Sequence, residues 1–377
     1  FRSIRLARIA AYFVFLDLTP SARHRMMRTR HALFAVMAGW LALMLPGVGL
    51  GEVPARLVLG TPQLYDLSVE EPHIAAQLRF GPNGDRLSAW RRNGRAEVWT
   101  LAGGTAEVRW NTASVYADSP DLEEAVGLIG SRLTLMSTGR SERPRGVPPA
   151  HLALSENQRL VMAADTPGVV LRDLRTGQAR GFGTELAVRN GLAISPDGRY
   201  IVAATGTFSD GVHATALEIH DVHENTRQVV KSPGVVLGMW RLTISSNNRL
   251  AFGTQRGGKG GVLVIDLETG ARLFEQGGFD SYWVRGLALG GADGDVLVTG
   301  DEKGYLRIWS VAGKRKLFEL KQQQPIQEVA IDHDRRRVAW SLWDGTIHVA
   351  TFATEYTGFA RAPAVPPAML QEGAAQQ

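Results

Sequence analysis

At 377 residues and 44% hydrophobic content, the chain has room for one large domain or two ordinary ones. It contains no cysteine, which excludes disulfides, thiol nucleophiles and thiolate metal sites. The formal charge of +5 belongs to the first 51 residues, where seven arginines face Asp17 alone; the remainder carries 35 basic and 36 acidic side chains, so no basic field argues for nucleic acid.

Residues 1–25 begin with Phe1 rather than Met and include the arginine-rich stretch FRSIRLARIAAYFVF. They read as an upstream or non-native extension, the alternative being a transit-type segment. Residues 26–51 have the layout of a signal peptide. Arg28 and Arg30 precede fourteen uncharged residues, 32–45, followed by Pro46 and by Gly49-x-Gly51 ahead of a cut at Glu52. The apolar run is short for a spanning helix; left uncleaved, residues 32–45 would serve as an inner-membrane anchor. The leader implies a periplasmic or secreted protein, and membrane contact only through this segment.

Arg56 to Gly60, RLVLG, is a lone apolar strand. After it, short strands punctuated by Gly, Asp and Asn recur to about residue 354. The segment Gly286 to Leu320 shows the pattern best, with four strands of four to six residues separated by GGADG, DEKG and AGK. Such a meander cannot bury both faces alone and needs neighbours of its own kind. They are present. The first apolar residue of each opening strand is Leu78, Val115, Leu152, Leu192, Leu242, Leu287 and Val329, at spacings of 37, 37, 40, 50, 45 and 42 residues. Strands two and three repeat without gaps as LSAWRRNGRAEVWT, LVMAADTPGVVLRD, LVTGDEKGYLRIWS and VAWSLWDGTIHVAT.

A period near 40 with four strands per unit is a propeller signature. GLAISPDGRYIVAATG, DLETGARLFE and YLRIWS resemble the WD40 repeat, and the resemblance to WD40-like (YVTN-type) propellers covers roughly residues 56–354. It implies an all-β, seven-bladed β-propeller of four-stranded antiparallel blades. The seventh unit lacks its fourth strand, so Leu57 to Leu59 are expected to supply it and close the last blade. The propeller domain is placed at 52–354, with a Pro/Ala/Gln-rich tail or linker at 355–377. Unit two is the least regular, because Asp118-Ser-Pro-Asp-Leu-Glu-Glu stands where a turn is expected. The family's His–Ser/Thr–Asp–Trp set is nearly absent: Trp99 and Trp309 hold the tryptophan place, but Asn93 and Lys303 stand for the aspartate, and Asp344 lacks a tryptophan at Ala350. Packing of Val, Leu and Ile between blades must then hold the ring.

Catalytic signatures are weak. His220-x-x-His223 with His213 does not suit metal ligation on a strand, where i and i+3 face opposite sides, and is read as exposed turn histidines. QRGGKGG lacks the following helix and Ser or Thr of a phosphate loop and is read as a hairpin. Asp121, Glu123 and Glu124 are read as a solvated loop. No metal or cofactor is expected.

Carried over by position, the resemblance places Arg189, Asn190, Trp240, Arg241, Tyr282, Trp283, Arg285 and Gln327 at the channel mouth. It places Arg91, Arg92, Trp343 and Asp344 on the rim, with Asp210, Arg256, Lys259, Asp301 and Glu302. Trp, Tyr and Arg concentrated on one face are what protein interfaces use. The expected function is a non-catalytic scaffold, a bacterial exported propeller that binds another protein. The alternatives are the sensor half of a longer protein and a propeller hydrolase or lactonase with a metal at the channel.

Overall fold

The computed structural model describes residues 55–59, 63–65, 75–103, 105–110, 113–144, 148–164, 166–206, 216–231, 236–290, 294–332 and 336–356. The expectations for residues 1–25, for the leader at 26–51 and for the tail after 356 lie outside them.

Among the described residues every regular element is a strand. β1 (Ala55–Leu59) and β2 (Gln63–Tyr65) come first, followed by the sheet of β3 (Ala75–Phe80), β4 (Arg86–Arg91), β5 (Ala96–Thr100) and β6 (Thr105–Trp110). The next sheet is β7 (Ala113–Asp118), β8 (Ala125–Ile129), β9 (Arg132–Leu135) and the two-residue β10 (Ser141–Glu142). Seven strands follow as one sheet: β11 (His151–Leu154), β12 (Arg159–Ala163), β13 (Pro167–Asp173), β14 (Ala179–Ile194), β15 (Tyr200–Gly206), β16 (Ala216–Asp221) and β17 (Thr226–Lys231). The 16-residue β14 joins two four-stranded halves, its Ala179–Phe182 pairing with β13 and its Leu192–Ile194 with β15.

Two regular meanders come next, β18 (Val236–Ile244) to β21 (Arg272–Phe279) through β19 (Arg249–Arg256) and β20 (Lys259–Asp266), and β22 (Val284–Gly290) to β25 (Arg315–Lys321) through β23 (Val296–Asp301) and β24 (Tyr305–Ser310). The last sheet holds β26 (Ile326–Asp332), β27 (Arg337–Leu342) and β28 (Ile347–Tyr356). Its outer edge is taken by the first strands of the described chain. Leu57 of β1 lies opposite Thr354, and Leu64 of β2 opposite His348. Strand β28 therefore runs to Tyr356, past residue 354, because Ala55 to Leu59 extend the ladder that holds it.

One turn recurs. Between the first and second strands of each meander sits a residue in the left-handed region: Gly84, Leu122, Gln158, Gly198, Asn248, Gly294 and Arg336, with φ from 53° to 72°. In four of these turns a serine hydroxyl donates to the Asp or Asn two residues on and accepts an N–H from the returning strand. These are Ser119 with Asp121, Ser155 with Asn157, Ser195 with Asp197 and Ser245 with Asn247. The irregular stretch of unit two is thus the same turn with a leucine in the left-handed seat. Leu122 is fully buried and packs over Gly81, which compensates a backbone conformation that leucine disfavours. Glu124, expected in solvent, is buried because its carboxylate accepts N–H bonds from Ala125 and Ser137.

The core is divided among the junctions between neighbouring sheets. Trp90, Ala96, Tyr116 and Ala125 join the first and second, and Leu128, Leu133, Leu154 and Leu160 the second and third. Val161, Leu171, Ile194 and Ile201 join the two halves of the long sheet. Leu217, Leu250, Phe252 and Leu263 lie at the next junction, then Val264, Phe274, Leu287 and Trp309, then Val298, Ile308, Val338 and Trp340. The last sheet meets the first through Ala339, Ile347, Leu78 and Phe80. No meander has enough apolar area to fold alone, and each hides its two faces against two neighbours. Polar ties reinforce the junctions. Buried Asp118 accepts from Ser88 and Gln77 and pairs with Arg79 at 3.3 Å, and Arg337 links Asp332 to the Gly84 carbonyl. Part of the polar set that the resemblance implies is present where buried Trp309 donates to Thr299 at 3.0 Å.

Candidate binding face

Residues of β3, β7, β11, β14, β18, β22 and β26 line one cavity of about 340 Å³. Six of these seven strands carry a register shift against the second strand of their meander. The pairing register shifts between Ala75 and Gln77, Ala113 and Val115, Val188 and Leu192, Leu237 and Leu242, Val284 and Gly286, and Ile326 and Glu328. A residue left out of the ladder is unpaired and re-aimed. The residues so released include Ala76, Arg189, Arg241, Arg285 and Gln327. Of the positions expected at the mouth, Arg241, Arg285 and Gln327 lie at these shifts and line one pocket.

Four of the expected residues converge. Arg92, Arg241, Arg285 and Gln327, with Ala75, Ala76 and Glu328, line a pocket of about 180 Å³ that shares Arg241 and Glu328 with the larger cavity. The guanidinium of Arg241 binds the Ala76 carbonyl and the Glu328 carboxylate. Glu328 is buried and also accepts the Val329 N–H at 3.1 Å. Burial outweighs the attraction of Arg241 and pushes its carboxyl up to about 7. Sequence reasoning missed Glu328, although an acid inside the otherwise apolar opening strand IQEVAID was a signal. Arg285 lies 3.9 Å from Glu302 and stacks over the Trp343 ring at 5.4 Å. Its burial, opposed by Glu302 and helped by neighbouring Arg92, holds its guanidinium below the usual range.

Beside the pocket stands an aromatic group. Tyr282 and Trp343 are 46% and 45% exposed, two of the four exposed large hydrophobics among the described residues. Tyr282 meets half-buried Trp283 edge-on at 4.3 Å, and the Tyr282 N–H donates to Glu302 at 2.8 Å. Asp344 is half-buried and spent on its turn, accepting from Gln324 and from Thr346.

Some expected residues are placed otherwise. Arg91 is not on the rim. It is 1% exposed, pairs with buried Glu97 at 3.3 Å and donates to the Gly345 carbonyl at 3.0 Å, so it ties the first sheet to the last. Strand β4 ends at Arg91, which stays buried in the sheet, while Arg92 opens the following turn and is exposed, a distinction the Arg-Arg dipeptide hides. Asp301 is likewise buried, held by Arg307 and by the N–H groups of Lys303 and Tyr305. Arg189 is half-buried, Arg256 and Lys259 are exposed on the β19–β20 hairpin, and Glu302 is half-buried. The side chains of Asn190 and Trp240, with Asp210 and His213, lie outside the described residues. His220, expected in solvent, is buried in β16 against Phe182, and desolvation pulls its pKa down; His223 is exposed. Among the described residues no three His, Asp or Glu side chains group as a metal site.

No family model matches the chain, and no curated protein matches it in sequence. Among solved structures it is similar to the crystal structure of the β-propeller domain of Cps50 (Swd1) from Myceliophteria thermophila. The TM-score is 0.57 at 14% identity, over 77% of this chain and 99% of that domain. The fold is a WD40-like β-propeller. That likeness concerns the fold alone, and what the propeller does rests on its own side chains.

Proposed function

We propose that this propeller is a non-catalytic scaffold that binds another protein through the face carrying the strand bulges. The blades number seven, with β1 completing the last; the seven junction clusters, including the one between last and first sheets, support that count. The observation that carries the binding reading is the repeated bulge. It turns Arg241, Arg285 and Gln327 to one mouth, beside exposed Tyr282 and Trp343. Aromatic and arginine side chains around a polar pocket are the usual anchors of a protein interface. The basic and apolar layout of residues 26–51 supports export to the periplasm of a bacterial cell, where the partner would be met.

The test is cross-linking in intact cells with the full chain and with Tyr282→Ala/Trp343→Ala. Both residues are exposed, so the fold should be unaffected. Capture of a specific partner lost in the double variant, with melting unchanged, is expected. Undiminished capture would overturn the assignment of this face.

A further inference from the structure

Gln327 is 7% exposed and lines the mouth pocket, yet its Nε2 has no hydrogen-bond acceptor. A buried amide N–H left without an acceptor is destabilising, and an oxygen arriving from outside would satisfy it. Around it are three guanidinium groups, Arg92, Arg241 and Arg285, against two carboxyls, Glu328 and Glu302. Arg241 is committed to Glu328 and to the Ala76 carbonyl. Arg285 lies over the Trp343 ring, with exposed Arg92 close by. The site therefore has an excess of positive charge and a buried, unsatisfied donor on a residue that lines the same pocket.

We propose that the mouth pocket binds a carboxylate presented by an acidic side chain of a protein partner. This rests on the reading of the face as a protein-binding surface. A planar carboxylate has two oxygens, one for the Gln327 Nε2 and one for the Arg285 or Arg92 fork. A volume of about 180 Å³ suits one side chain and is below the range of small-molecule sites. A phosphate dianion would bring a second charge against Glu328 without a further cation. Tyr282, Trp283 and Trp343 would then flank the residues on either side of the acid.

The experiment is panning of a random dodecapeptide phage library against the immobilised full chain, followed by affinity measurement of the selected peptide. An Asp or Glu common to the selected peptides is expected. Its replacement by the amide should weaken binding about tenfold or more, as should Gln327→Leu. Arg92→Ala, at an exposed position, should weaken it by about threefold or more and keeps the test open should Gln327→Leu fold poorly. Acetate should displace the peptide at lower concentration than inorganic phosphate; the reverse order would overturn the carboxylate. Peptides lost on Tyr282→Ala/Trp343→Ala but indifferent to Gln327→Leu, to Arg92→Ala and to acidic residues would overturn this inference and leave the binding face standing. Peptides indifferent to every one of these substitutions would remove the face as well.

Discussion

Replacing Glu328 by Gln tests the electrostatics of the mouth. Glu328 is buried, and its carboxyl is pushed from 4.5 to about 7. In the window between those values the folded protein holds a proton that the unfolded chain has released. Stability is then present in full below pH 4.5 and is lost as pH rises through about 7. The shift corresponds to about 3 kcal/mol between the two ends. Gln has the shape of the protonated acid and does not titrate. The difference in unfolding free energy, variant minus wild type, should therefore rise by about 3 kcal/mol from about pH 4 to about pH 8. His220 and His348, both with pKa values lowered by burial, contribute the opposite slope: their stabilisation is present above 6.5 and lost as pH falls. They are common to both proteins and cancel in the difference. Urea unfolding across a pH series gives the curve directly. A flat difference would mean that burial does not govern Glu328. A falling one would mean that the attraction of Arg241 exceeds the cost of desolvation.

Gly84→Ala should destabilise by about 2–4 kcal/mol, because a methyl group there collides with the Asp332 carboxylate and the Arg337 guanidinium at the junction of last and first sheets; urea midpoints measure it. Asp118→Ala should lower stability by about 2–3 kcal/mol, since Ser88, Gln77 and Arg79 all lose their common partner; thermal melting at neutral pH is sufficient. Deleting Ala55–Leu59 should lower the melting temperature and promote association seen by light scattering, because it bares the edge of β28. An unchanged melting temperature would show that β1 contributes nothing to the last sheet.

Strand periodicity and turn chemistry are local properties, so the all-β class, the four-stranded meanders and the lone strand near Leu57 were legible in the sequence. Counting from the first apolar residue of an opening strand leads to Arg241, Arg285 and Gln327, which the structure gathers with Arg92 around one pocket. What a single strand pattern cannot show is which of two adjacent polar residues a bulge or the end of a strand sends inward. Arg91 and Arg92 look alike in sequence; one is buried against Gly345 and the other lines the pocket. The left-handed seat shared by Gly84, Leu122 and Arg336 was equally hidden, since three unlike side chains occupy one backbone conformation. The raised pKa of Glu328 and the unsatisfied amide of Gln327 arise only when distant strands exclude water from the same space. Burial is a property of neighbours far apart in sequence, and only the tertiary structure decides it.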